Sequence, residues 1–165
     1  MFGRPSSYWI RLALKTAVPA LVLILIASQA WAASACKKVK GKFALQAFAG
    51  PECTSAVGIC ATGDFSGDLA GTSVFIGSAL ILSADTPTTA VVFLTGDAAL
   101  TTQSGTLLTK DAISLSTTGN GEFGEVISIV GGTGRWLGTT GKVTAIGTFI
   151  DGSGTGTYRG ELCTP

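Results

Sequence analysis

The chain has 165 residues and no histidine, with 11 Lys and Arg against 10 Asp and Glu for a formal net charge of +1. The missing histidine excludes every Ser-His, Cys-His and His-metal mechanism, and the near balance of charge excludes the broad basic surface by which nucleic acid is held. Any chemistry must run on carboxylates, Tyr, Lys, Arg or water.

The first segment, "MFGRPSSYWIRLALK", carries Arg4, Arg11 and Lys15 and no acid, and it leads into an apolar run from Ala17 to Ala27. That run is too short to span a bilayer comfortably. Ala30 and Ala32 follow as the small residues a signal peptidase reads, so residues 1–32 are predicted to be a signal peptide cleaved after Ala32. Pro19 and the small-residue exit favour cleavage over a retained anchor, and Ala33 argues against a lipoprotein site at Cys36. The remainder, residues 33–165, suits one domain, secreted or periplasmic, with no membrane span. Losing Arg4, Arg11 and Lys15 leaves eight basic residues against ten acidic ones, a net of about −2.

Next comes "CKKVKGK", Cys36 to Lys42, which reads as a solvated lead-in to the first strand. From Gly41 onward short β-branched or aromatic stretches alternate with Gly, Asp, Ser and Thr, and no helical period persists. The pattern predicts an all-β domain. Strands are expected near Lys42 to Phe48, Gly58 to Phe65, Thr72 to Ala84, Thr88 to Thr95, Thr106 to Ser116, Glu122 to Val130, Gly141 to Ile150 and Thr155 to Leu162. Pro87, Asn120-Gly121 and Asp151-Gly152 mark tight turns, so consecutive strands should be antiparallel neighbours. A meander of this kind closes into a barrel more readily than it leaves an edge exposed. Two strands, "AVVFL" at Ala90 to Leu94 and "VISIV" at Val126 to Val130, are apolar on both faces, which calls for cover on the outside from an oligomer interface or from the chain's own loops.

The segment "SIVGGTGRWLG", Ser128 to Gly138, has the look of a nucleotide-binding loop. Its Gly132, Gly134 and Gly138 carry one spacer too many for a dinucleotide fingerprint, and "TTGKVTAIGTF" behind them disfavours the helix that must follow. Calcium-binding glycine repeats fail as well, for want of the aspartate and of a second copy. Gly131, Gly132, Gly134 and Gly138 are therefore read as a structural turn that folds Trp136 against the barrel end and leaves Arg135 outside.

The same region, "GEVISIVGGTGRWLGTTGKVTAIGTF" from Gly124 to Phe149, resembles the signature shared by dirigent proteins and allene oxide cyclases: a strand ending in Gly-Gly-Thr-Gly, then an aromatic residue, then Gly before the next strand. The resemblance implies an eight-stranded antiparallel β-barrel with an apolar interior, assembled as a homo-oligomer, a trimer, and handling a hydrophobic small molecule without a cofactor. The chain departs from the family in being shorter, in its four cysteines and in "GPECTSAVGICATGDF". The family's active-site residues have no position-by-position counterpart here.

Four cysteines, Cys36, Cys53, Cys60 and Cys163, allow three pairings, and zinc is disfavoured by the absence of histidine and of any Cys-x-x-Cys. Cys53 and Cys60 lie in one loop that carries Pro51 and Gly58, where a bend brings them within disulfide range, and they should pair. Cys36 and Cys163 then meet where the first strand of a closed barrel begins and the last one ends. For an ionisable group facing the interior the candidates are Glu125 and Tyr158, whose plainer readings are a surface carboxylate and a barrel-end aromatic. No metal, cofactor or nucleic acid is expected. The leading function is binding of a small hydrophobic ligand inside the barrel; the alternatives are a cofactor-free cyclase or dirigent-type isomerase, and a structural envelope protein without activity. A hollow apolar interior with convergent polar groups would favour the first two, a filled interior the third.

Overall fold

The computed structural model describes residues 35–83 and 91–165, and the predicted signal peptide at residues 1–32 and the Pro87 turn lie outside them. Eight strands follow in chain order: β1 (Ala35–Phe48), β2 (Cys60–Gly67), β3 (Gly71–Ser83), β4 (Val91–Thr102), β5 (Gly105–Ser116), β6 (Glu122–Gly132), β7 (Thr140–Ile150) and β8 (Ser153–Thr164). Each pairs antiparallel with the next, and β8 pairs back onto β1 from Ala35 opposite Thr164 to Gln46 opposite Ser153, which closes the barrel. The all-β closed barrel is the expected architecture.

Two expected boundaries are corrected. "CKKVKGK" is no lead-in: Cys36 to Lys42 belong to β1 and pair with β8. Lys38, Lys40 and Lys42 point outward while Val39, on the opposite parity, is buried; Lys37 shares the parity of Val39 and is exposed near the strand's start. The strand expected at Thr88 to Thr95 instead continues to Thr102, because Gly96 and Asp97 sit inside the ladder opposite Asp111 and Lys110 rather than in a turn. The outward side chains of Asp97 and Lys110 form a salt bridge there.

One end of the barrel is closed. Trp136, on the one-turn 3₁₀ helix Gly134–Trp136, is buried, and its indole Nε1 donates to Thr102 Oγ1 at 2.9 Å. The neighbouring Arg135 is exposed, with its guanidinium 5.3 Å from the Trp136 ring. The turn locks onto the β4–β5 hairpin through Thr133 N to Thr106 O at 2.8 Å and Arg135 N to Ser104 O at 2.9 Å. Gly134 has φ +58° and a Cβ there would lie 2.5 Å from Ser104 O, whereas Gly132 is needed for close approach alone: its Cβ would lie 2.4 Å from Thr106 O. Tyr158 completes the closure. Its buried hydroxyl donates to Ser66 O at 2.9 Å and accepts from Leu69 N at 2.8 Å, which pins the β2–β3 turn and seats Leu69 in the core.

Both expected disulfides are present, Cys36–Cys163 across the β1–β8 seam and Cys53–Cys60 beside the β1–β2 loop. The first closes a loop of 127 residues and the second one of 7. In the chain-entropy picture these restrict the unfolded chain by about 5 and about 2 kcal/mol respectively. Urea unfolding should therefore show Cys36→Ser/Cys163→Ser losing clearly more stability than Cys53→Ser/Cys60→Ser, and equal losses would mean that the seam bond does not act through loop closure. By the same measurement Gly132→Val and Gly134→Val should each destabilise well beyond an exposed substitution, and melting like that of the wild type would show the turn to be tolerant of side chains.

Candidate functional site

Strand parity sends alternate residues inward. On β5 these are Leu107, Thr109, Asp111, Ile113 and Leu115, and on β6 they are Phe123, Glu125, Ile127 and Ile129. Leu107 and Ile129 pack into the closed end, but toward the other end the side chains do not meet across the barrel. They leave a cavity of about 530 Å³. Its depth is bounded by Leu69, Leu100 and Leu107, and its outer part by Phe48, Ile59, Phe75, Leu115 and Phe149.

The β1–β2 loop forms part of the rim. Ser55 Oγ donates to Gly77 O at 2.6 Å and accepts from Ile59 N at 3.0 Å, and Gly77 N donates to Ile59 O at 2.9 Å. With the Cys53–Cys60 bond these contacts hold Gly58, Ile59 and Cys60 against the cavity. Thus the stretch that departs most from the dirigent-type pattern is the one that shapes the opening.

Among the described residues two ionisable groups line the cavity, Asp111 and Glu125, and no Lys or Arg does. In the β5–β6 register Asp111 stands opposite Ile127 and Glu125 opposite Ile113, so the two carboxyls are diagonal neighbours on one face, at a spacing of roughly 7–8 Å for their backbones. Asp111 is 6% exposed, and its Oδ1 has no hydrogen-bond partner among the described residues. Burial pushes its carboxyl up to about 6, a hydrogen bond with Thr109 pulls it back, and the Asp97 charge adds a smaller push. Burial likewise pushes Glu125 up to about 8, with the Asp111 charge adding to it. Near neutral pH the pair together therefore holds about one proton.

Of the two residues singled out in the sequence, Glu125 lies in the cavity wall and Tyr158 does not. The Tyr158 phenol is raised above its ordinary value by burial, and its hydroxyl is held by the β2–β3 turn. Asp111 was missed. Its signal was present in "TLLTKDAISLS", where the parity of Leu107, Thr109, Ile113 and Leu115 carries Asp111 to the apolar side. The glycine turn, Gly131 to Gly138, lies at the closed end with Trp136 and supplies no group to the cavity.

No family model and no curated protein matches the chain. Among solved structures it is similar to a pterocarpan synthase dirigent protein, at 14% identity and a TM-score of 0.32, over 79% of this chain and 88% of that one. So distant a likeness leaves ligand and reaction to be argued from the cavity itself.

The two carboxyls hold their protons more tightly in the folded chain than in the unfolded one, so between about pH 4 and about pH 8 the folded state binds more protons. Their contribution to stability is fullest at acid pH and is lost as pH rises through the raised values. Asp111→Asn and Glu125→Gln should each gain stability on the wild type as pH goes from about 5 to about 9, by on the order of a few kcal/mol, read as a Tm that rises relative to the wild type. Parallel Tm curves for all three proteins across that range would mean that both carboxyls are solvated.

Proposed function

We propose that the protein is an exported barrel that holds a small apolar molecule in its interior without a cofactor. The observation that carries this reading is the hollow: an eight-stranded barrel is narrow enough for side chains to fill, yet here about 530 Å³ stays open within apolar walls. That volume falls within the range of small-molecule sites, roughly 300–1,000 Å³, and two convergent polar groups are the usual means of orienting an apolar guest. A purely structural barrel gains nothing from such a void, since each unfilled space forfeits packing. The two disulfides suit an oxidising compartment, and no helix among the described residues is long and apolar enough to cross a membrane.

A second reading, cofactor-free cyclisation or isomerisation, draws on the acid pair. A carboxylate beside a protonated carboxyl is a base beside an acid, the combination that moves a proton between two positions of one substrate. Binding is placed ahead of catalysis because only binding is needed to account for the cavity.

Assembly as a homo-oligomer, a trimer in the family the sequence resembles, belongs to the same proposal. Phe93 on β4 and Val126 and Val130 on β6 point outward and are 49%, 45% and 54% exposed. The chain's own described loops do not cover them, and further copies would.

Fluorescence titration with phenylnaphthylamine, a neutral apolar probe, tests the binding reading. The wild type should bind it saturably, and Ala98→Leu, which adds bulk to the cavity wall, should weaken binding by about tenfold. Undiminished binding by Ala98→Leu would put the probe elsewhere. Native mass spectrometry with organic extraction reads the assembly and any cargo together; a monomer without cargo that ignores the probe would leave the structural role alone.

A further inference from the structure

Resting on the binding reading above, we infer that the natural occupant of the cavity is an apolar molecule bearing one protonated amine, with the ammonium seated between Asp111 and Glu125. The charge of the cavity points this way. Among the described residues its only ionisable lining groups are these two acids, and no lysine or arginine lines it to pair with them. Asp97, whose charge also acts on Asp111, is on the outer face and already paired with Lys110.

A buried carboxylate without a counter-ion is costly to maintain, and one unpartnered oxygen adds the full cost of its lost hydration. Asp111 bears both costs: it is 6% exposed, it lines the cavity, and its Oδ1 has no partner among the described residues. A ligand that brings one positive charge and several N–H donors removes both at once. An ammonium offers three donors, enough to reach both carboxyls of a diagonal cross-strand pair, in charge-assisted bonds about twice as strong as neutral ones.

The rest of the wall fits the remainder of such a molecule. Phe65, Phe75 and Phe123 line the same space, and aromatic rings are side chains that a cation also favours. Leu94, Ala98 and Ile113 provide apolar surface for a hydrocarbon body. A fatty acid is opposed by the same arrangement, because its carboxylate would meet a negative pair with no cation to receive it. A neutral alcohol can bond to one carboxyl but leaves the charge uncompensated.

The test is displacement of bound phenylnaphthylamine by three competitors of one chain length, decylamine, decanol and decanoate, near neutral pH. Decylamine should displace the probe at a concentration about tenfold below that of decanol, with decanoate the weakest of the three. In Asp111→Asn/Glu125→Gln the amine should lose its advantage over the alcohol. Equal potency of amine and alcohol in the wild type, or decanoate as the best competitor, overturns the amine while leaving an apolar binding site in place. Failure of the wild type to bind the probe at all overturns the site and the amine together. The ratio measured on the wild type decides the matter even where the double variant does not fold.

Discussion

Everything in this molecule depends on the seam between β1 and β8. Seven of the eight strand pairings join neighbours in sequence and need only short connections, but the eighth must bring the two ends of the domain together. The ladder from Ala35 opposite Thr164 to Gln46 opposite Ser153 does so, with the Cys36–Cys163 bond at its outer end. Without it the sheet is open, two edges are bare and there is no interior. The lysines of β1 gain their meaning here, since exposed positive charge along the closing strand discourages pairing with another chain before closure is complete.

The closed end and the hollow end follow from how the chain distributes its bulk. Trp136, Tyr158, Leu69 and Leu107 crowd the base, where the hydroxyl of Tyr158 and the indole of Trp136 each tie a turn to its neighbours. Toward the rim Ala47, Ala61 and Gly58, and deeper in the wall Ala98, stand where large residues could, and the space they leave is the cavity. Rigidity is thus concentrated away from the opening, and the opening is shaped by a loop held by one disulfide and the hydroxyl of Ser55. Packing strength at the base permits loose packing and two buried acids above it.

The fold was legible because β strands with one wet face announce themselves by alternation, and because Asn120-Gly121 and Asp151-Gly152 fix two of the hairpins in residues that accept positive φ. The Cys53–Cys60 pairing followed from their closeness in one bending loop, and the Cys36–Cys163 pairing from closure of the barrel. Legibility failed where composition hid parity. In "CKKVKGK" lysines fill four of the seven positions, Lys37 on the same parity as Val39, and Val39 alone is buried, so the segment reads as solvated; the strand from Thr88 is read to stop at Thr95 although its pairing with β5 continues through Gly96 and Asp97. Of the cavity's two acids, Glu125 was visible beside a long apolar run, while Asp111 was masked by the adjacent Lys110, which turns the local sequence polar. The hollow itself could not be read at all, since volume depends on how far side chains reach across the barrel, and that is a property of facing strands rather than of any one of them.

The ends of β1 and β8 lie side by side at the closed base, Ala35 opposite Thr164 and Cys36 joined to Cys163. The barrel is therefore a ring in the covalent sense, with only one strand-to-strand connection left without a peptide link, and that gap sits at the end remote from the cavity's outer part. A short linker across it would yield a circular permutant whose new termini could be opened at the hairpin around Asn120, on the rim. The cavity's opening and the paired ends of β1 and β8 lie at opposite poles of the barrel, so a surface, a reporter or a second domain joined after Pro165 leaves the opening free.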